Sequence, residues 1–437
     1  MITTRFAPSP TGRLHVGNIR TALHNYLLSA QGGGQFLLRI DDTDAERSRE
    51  EHVASILADL NWLELFPAGI VRQSERFELY EREFDRLKTS GRAYACYETP
   101  EELDVRRKVL LGRGLPPVYE RKFADVPAPE GVLPHWRFKL DHSAPIEWDD
   151  LVRGPQKFDP ALISDPVIRR ADGSWLYLLP SVIDDIDLAI SHVLRGEDHV
   201  TNSAVQLQMF GALGAPAPAL AHTALLVAAE GKLSKRLGSS GVDELKDAGI
   251  EPMALNSLLA RLGTSQPVEA KANLAELAEG FDLSTFGRAP AHFDFAEVEE
   301  VNRKLLHHAS YAEMANAIRA DVTADDYELL KGNISRLSEL EQWLVVLDGD
   351  LPPPQNADDD RDFLRQAASL AAGLDWSTDP WPALADALKA VTGRKGKALF
   401  HPLRLALTSR ESGPEMAPLL KRIGRDKSIA RLTAASA

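Results

Sequence analysis

Apolar residues recur along this chain at two different periods. Near the start, short apolar runs alternate with amphipathic stretches: a strand over Ile2 to Ala7, a helix over Val16 to Ser29, a strand over Gln35 to Ile40 and a helix over Ser48 to Leu60. That cadence is the βαβ rhythm of a parallel sheet covered on both faces. It breaks after about Glu83. From Arg92 to Ser174 proline and glycine are frequent, with strand-like pieces such as Trp136 to Leu140, which reads as an insertion into the sheet domain. Sheet-domain features resume at Tyr177 to Ile183 and Ala189 to Leu194, followed by a helix over Asn202 to Leu213 and a strand over Thr223 to Ala228. Helical periodicity then takes over: Pro252 to Leu262, Ala296 to His308, Ile334 to Leu347, Arg361 to Ala372 and Trp381 to Val391 carry apolar residues three and four apart.

Composition narrows the class. With 437 residues, 44% of them hydrophobic and 26% charged, the chain is ordinary globular material and too long for a single core. The longest apolar run, Pro218 to Ala229, is short and interrupted by His222, so no membrane span is expected. The N-terminus lacks the basic-then-apolar pattern of a secretory leader. A single cysteine, Cys96, can form neither an internal disulfide nor a cysteine-rich metal site, which points to the cytoplasm. The net charge of -14 argues against a generally nucleic-acid-binding surface, but the end of the chain differs. Arg394, Lys395, Lys397, Arg404, Arg410, Lys421, Arg422, Arg425, Lys427 and Arg431 face only Glu411, Glu415 and Asp426 there, a basic surplus suited to RNA.

Two strings carry the chemistry. Pro8-Ser-Pro-Thr-Gly-Arg-Leu-His-Val-Gly-Asn18 places a rigid loop between the first strand and the first helix. Free backbone N–H groups and the positive end of the helix dipole make such a loop an anion site, and Gly17 leaves room for a close approach. Lys232-Leu-Ser-Lys-Arg236, flanked by Gly231 and Gly238, suits a clamp on a polyphosphate.

Together these strings resemble the two signatures of class I aminoacyl-tRNA synthetases, and the wording FAPSPTGRLHVGN resembles glutamyl-tRNA synthetases of the bacterial type. Leu37-Leu-Arg-Ile-Asp-Asp-Thr-Asp44, Val193-Leu-Arg-Gly-Glu-Asp-His199, Met253-Ala-Leu-Asn-Ser257 and Thr392-Gly-Arg-Lys-Gly-Lys-Ala-Leu-Phe400 extend the resemblance over nearly the whole chain. It implies an α/β protein, a Rossmann-type parallel-sheet catalytic core split by an α+β insertion and followed by a mainly α-helical anticodon-binding region. The implied parts are the first half of the core at 1–85, an inserted domain for the tRNA acceptor end at 86–174, and the second half with the lysine loop at 175–240. A helical stem-contact region at 241–308 and a helical anticodon-binding domain at 309–437 complete it.

The implied reaction activates glutamate with ATP and transfers it to tRNA, with Mg²⁺ accompanying the nucleotide. It needs positioning and charge stabilisation and no covalent protein nucleophile. The resemblance assigns His15, Lys232, Ser234 and Lys235 to catalysis, and His15, Gly17, Asn18, His199, Leu225, Leu226 and Lys235 to ATP. Leu225 and Leu226 are expected at a strand end beside the adenine. Glutamate carries two carboxylates and one ammonium, so its site needs two cations and an anion. Arg5 and Arg195 end strands and face the crevice in an open parallel sheet, and Asp41 can take the ammonium. Ala7, Ser9, Tyr177 and Ser181 complete the implied glutamate site. Either arginine has an alternative role as a buried partner of Asp42, Asp44 or Glu197.

Asp41 and Ser181 stand where many relatives have Glu and Asn. Zinc, carried by some relatives in the insertion, is not expected, because Cys96-Tyr97-Glu98 keeps one cysteine of a Cys-x-Cys start and Phe123 replaces a later one. Glu197-Asp198-His199 is not read as a metal cluster, since adjacent residues cannot all face one ion. Asp184, Asp185 and Asp187 are expected to pair with Arg or Lys. Glutaminyl-tRNA synthetase is the nearest alternative, but its tail is a β-barrel and this tail reads helical; a non-catalytic tRNA-binding relative is the other. The partners expected are tRNA, L-glutamate and ATP, with no membrane, and the chain is expected to be a monomer.

Overall fold

The computed structural model describes residues 1–121, 127–228, 242–318, 321–352 and 358–437. The chain forms two compact units, Met1–Val298 and Glu299–Ala437.

The first unit is built on parallel strands. β1 (Thr3–Phe6), β2 (Gln35–Ile40) and β3 (Gly69–Arg72) form one sheet with β2 central, Arg5 lying opposite Leu37 and Leu37 opposite Gly69. Helix α1 (Val16–Gln31) connects β1 to β2, and α2 (Glu50–Trp62) connects β2 to β3. Ile19, Leu23 and Leu27, four residues apart, are fully buried, as are Leu38 and Ile40 of β2. Alternation along the strands gives the opposite face to polar residues, and Arg5 and Arg39 lie there. The α1–β2 turn is tight: a Cβ on Gly34 would sit 1.7 Å from the Ile2 carbonyl oxygen, so only glycine fits.

Helix α3 (Phe77–Thr89) leads to β4 (Ala93–Cys96), α4 (Pro100–Gly112), β5 (His135–Phe138), β6 (Ile146–Asp150), β7 (Gly154–Phe158) and β8 (Val167–Arg169). β4, β5 and β8 form an antiparallel sheet, and β6 pairs antiparallel with β7. Parallel pairing returns after α5 (Leu178–Asp187): β9 (His192–Gly196) runs beside β10 (Ala219–Thr223), joined by α6 (Val200–Ala212). β9 reaches β1 through Ser191, whose N–H donates to the Thr3 carbonyl at 3.0 Å while its hydroxyl accepts from Thr3 N–H at 2.8 Å.

Several sequence expectations need correction. The strand expected over Thr223 to Ala228 is two strands: Ala219–Thr223, and the short β11 (Leu226–Ala228), which pairs with β12 (Ala291–Phe293). Leu225 thus lies between strands, not at a strand end. Helix α3 continues to Thr89, past Glu83, where the sequence pattern places the break. Helix α4 was not foreseen because none of its residues is buried, so it shows no apolar period. Its signal was the capping box Thr99-Pro-Glu-Glu102, in which Thr99 and Glu102 satisfy each other's N–H groups. The helix expected over Ile334 to Leu347 begins only at Glu339.

The second unit shows no strand among its described residues. Its helices Ala324–Leu330, Glu339–Asp348, Asp358–Ala372, Trp381–Thr392, Lys397–Thr408, Met416–Ile423 and Arg425–Ala435 bury Tyr327, Trp343, Phe363, Leu388, Leu403, Leu420 and Leu432 together. Six of the ten terminal basic residues are engaged within the unit. Arg394 pairs with Asp360, Arg422 with Asp326 and Asp348, and Arg425 with Asp426. Arg410 meets Gln342 and lies over the Trp343 ring, Lys427 bonds the Leu347 and Asp348 carbonyls, and Arg431 bonds those of Leu407 and Gly349. Because Arg394 and Arg422 pair with acids outside the counted stretch, the surplus counted from sequence overstates the charge free for RNA.

Candidate active site

One cavity of about 800 Å³ opens where β1, β2 and β9 end. It is lined by Arg5, Ala7, Ser9, His15, Gly17, Asn18, Asp41, Tyr177, Ser181, Arg195, His199, Leu225 and Leu226, every sequence-assigned residue that lies among the described ones. Lys232, Ser234 and Lys235 lie outside the described residues. Leu226 Cβ is 4.0 Å from where a Cβ on Gly17 would stand.

His15 caps α1. Its Nδ1 accepts from Asn18 N–H at 3.2 Å, and its own N–H donates to Asn18 Oδ1 at 3.2 Å. An accepting Nδ1 requires the Nε2–H tautomer, and burial lowers the imidazole's pKa, so a neutral ring keeps one N–H donor for a ligand. Gly17 has a local reason beyond ligand access. A Cβ there would lie 3.0 Å from the His15 ring atoms Cε1 and Nδ1.

Behind the cavity lies a buried ion network that the sequence did not disclose. Arg39, 1% exposed, bonds Asp41 through Nε at 2.7 Å and Nη2 at 3.0 Å, Asp185 at 2.9 Å and the Ser181 hydroxyl at 2.7 Å. Burial opposes its charge, and Asp41 and Asp185 overcome that, holding it firmly cationic. Arg5 also bonds Asp185, at 3.0 and 3.3 Å. Its partner is thus none of Asp42, Asp44 or Glu197. Asp184 accepts from Gln73, Arg76 and Tyr80, and Asp187 pairs with Arg76, so the α5 aspartates do pair with arginines. Asp41, expected to be open for an ammonium, is already gripped by Arg39. The clue was their two-residue spacing where β2 ends, since extended backbone running one residue past Ile40 puts both side chains on one face.

Arg195 differs from these. It is 7% exposed, borders the cavity, and pairs with no carboxylate among the described residues. Its neighbours are neutral acceptors: Tyr177 Oη at 2.8 Å, Ser203 Oγ at 2.5 Å and Gln206 Oε1 at 2.6 Å, while its Nε has no partner. Tyr177 Oη also meets His199 Nδ1 at 3.1 Å. Charge along the cavity wall runs against the acidic average of the chain, with Arg5, Arg13, Arg20, Arg39, Arg47, Arg170 and Arg195 facing Asp41, Asp44 and Asp198.

Cys96, Glu98 and His135 bring ligand atoms within 4.8 Å of one another, a grouping not anticipated from Cys96-Tyr97-Glu98 alone. The Tyr119 hydroxyl bonds Cys96 Sγ at 3.4 Å and Glu98 Oε1 at 2.9 Å, and Arg106 pairs with Glu98. Burial pushes the thiol's pKa up, away from the thiolate a metal needs, although Glu98 Oε2 and His135 Nε2 have no hydrogen-bond partner.

A parallel-sheet α/β protein with a cationic cleft at the carboxyl ends of its strands is built for an anionic ligand. A family model described as the catalytic domain of class I tRNA synthetases (E and Q) matches residues 1–300, and one described as an anticodon binding domain matches residues 296–436. The chain belongs to the class I tRNA synthetases of the E and Q group. It is 61% identical to glutamate–tRNA ligase 2 of Sphingopyxis alaskensis over 99% of both chains, and 57% identical to glutamate–tRNA ligase 1 of Rhizorhabdus wittichii over 100% of both. A solved glutamate tRNA ligase from Elizabethkingia meningosepticum, in complex with its amino acid, superimposes with a TM-score of 0.83 at 26% identity, covering 100% of this chain and 99% of that one. No helix among the described residues is long and apolar enough to cross a membrane.

Proposed function

We propose that this synthetase activates glutamate with ATP and transfers the glutamyl group to the terminal ribose of a tRNA, working in the cytoplasm with Mg²⁺ accompanying the nucleotide. The observation that carries the reading is Arg195, a buried guanidinium without a carboxylate partner among the described residues, at the wall of a cationic cleft. A buried unpaired cation is costly, and an anionic substrate group relieves that cost. Glutamate, whose side chain ends in a carboxylate, supplies such a group, and the neutral amide of glutamine does not.

In the first step the α-carboxylate oxygen of glutamate attacks the α-phosphorus of ATP, and the bond to pyrophosphate breaks. Negative charge on the phosphate oxygens is met by the His15 Nε2–H, by the unpaired N–H groups at the start of α1 and by Lys232 and Lys235, with Ser234 assisting. Gly17, Asn18, His199, Leu225 and Leu226 form the nucleotide bed. Arg5, Ala7, Ser9, Asp41, Tyr177, Ser181 and Arg195 hold the amino acid, Asp41 turning one oxygen from Arg39 to its ammonium. In the second step the ribose hydroxyl attacks the glutamyl carbonyl and AMP leaves. The helical second unit reads the anticodon.

Charging of separated tRNA species with labelled glutamate and labelled glutamine tests this. Glutamate is incorporated and glutamine is not; incorporation of glutamine alone overturns the reading.

A further inference from the structure

Arg195 is held at the end of a buried chain of hydrogen bonds whose other members do not line the cavity. Arg195 and His222 lie opposite each other on β9 and β10, so both project from the same face of the sheet toward α6. His222 Nε2 is 2.7 Å from Ser203 Oγ, and His222 Nδ1 is 2.5 Å from Asp150 Oδ2. Ser203 and His222 are 1% and 0% exposed, and neither lines the cavity. The order carboxylate, imidazole, hydroxyl is that of a hydrolytic triad. Here the hydroxyl faces a guanidinium and has no substrate to attack.

The donors fix the direction of every proton. Asp150 Oδ1 accepts three backbone N–H groups, from Val152 at 3.1 Å, Arg153 at 2.9 Å and His222 at 3.1 Å, and its Oδ2 takes His222 Nδ1 and, at 3.4 Å, Trp148 Nε1. Burial works against its charge, but these bonds bring its pKa down to about 2. An ionised Asp150 only accepts, so His222 carries its proton on Nδ1 and presents a bare Nε2. Burial lowers the pKa of His222 against the pull of Asp150, and Arg195 and Arg153 add to that, so the ring stays neutral. The Ser203 hydroxyl must then give its proton to Nε2 and turn its lone pairs to Arg195.

We propose that Asp150, His222 and Ser203 are positioning residues for the amino-acid site, a proton-ordered relay that keeps an acceptor aimed at Arg195 so that the guanidinium faces the substrate carboxylate. The proposal rests on Arg195 binding glutamate. Ser203→Ala removes the acceptor without removing the charge. Asp150→Asn acts from three links away: the three backbone donors hold the amide oxygen at the Oδ1 position, so the amide NH₂ must face His222. That forces the other tautomer: His222 Nε2–H now donates to Ser203, which spends one lone pair on it, and the hydroxyl proton, having lost its acceptor, must re-aim, so the acceptor presented to Arg195 is no longer fixed.

The test is steady-state charging of tRNA by the full chain, with KM measured separately for glutamate and ATP. Ser203→Ala is expected to raise the glutamate KM about tenfold, and Asp150→Asn several-fold, with the ATP KM and kcat within about twofold of the unsubstituted chain. Arg195→Ala serves as the control. If it leaves the glutamate KM unchanged, the reading of the pocket falls and the relay with it. If it raises the glutamate KM while either relay variant does not, the relay alone is overturned. Equal changes in the glutamate and ATP values also overturn it, because they report general disturbance.

Discussion

His24 on α1 gives the first unit an acid sensitivity that can be calculated. The ring is fully buried, with Nε2 2.9 Å from the Leu259 carbonyl oxygen, one of the carbonyls left unpaired at the end of helix Pro252–Arg261, and Nδ1 without a partner. Burial first, then the Arg20 charge, brings its pKa from 6.5 down to about 3. Because the folded value lies below the unfolded one, the unfolded chain binds the proton more readily between them. Stability is therefore intact above about pH 6.5 and falls as the pH drops through that window. At 1.36 kcal/mol per unit, acidification from pH 7 to pH 5 costs about 2 kcal/mol from this residue alone. His24→Gln keeps an N–H for the Leu259 carbonyl and removes the titration. Urea unfolding of both proteins at several pH values isolates the effect, since shifts from every other group cancel in the difference. The variant gains about 2 kcal/mol relative to the parent between pH 7 and pH 5; identical slopes would refute a neutral, buried imidazole at this position.

Gly17→Ala drives a methyl against the His15 ring at 3.0 Å, displacing the Nε2–H donor, and is expected to lower kcat for tRNA charging about tenfold with little change in melting temperature; unaltered turnover counts against the role given to His15. Metal analysis of the purified protein is expected to find no stoichiometric zinc, because the Tyr119 hydroxyl and Arg106 already occupy Cys96 and Glu98; one equivalent bound there contradicts this.

Features written in local periodicity were legible from the sequence. α1 was readable because Ile19, Leu23 and Leu27 repeat every four residues, and the cleft because strands of a parallel sheet end on one side, which brings Arg5 and Arg195 to it without knowledge of any contact. α4 left no such trace, since a helix that buries nothing has no face to mark. Long-range pairing was equally silent: Asp185 serves both Arg5 and Arg39, 180 and 146 residues away. Sequence proximity offered Asp42, Asp44 and Glu197 to Arg5 and Arg195, and the choice made in the fold is none of these.

That choice decides how the pocket works. Had Arg195 been given its own carboxylate, it would gain little from a second anion. Instead the acids gather on the other two: Arg5 and Arg39 share Asp185, Asp41 and, at 3.6 Å, Asp184 also meet Arg39, and Arg195 is left with hydroxyl and amide acceptors that satisfy hydrogen bonds without cancelling charge. Neutral acceptors hold a guanidinium in place as firmly as its geometry needs while leaving its field directed at the cavity. The site is thereby preorganised for an anion in a protein whose overall charge is -14. On the proposed role of Arg195, selectivity for a carboxylate over an amide follows from its having no acid partner among the described residues as much as from the arginine itself.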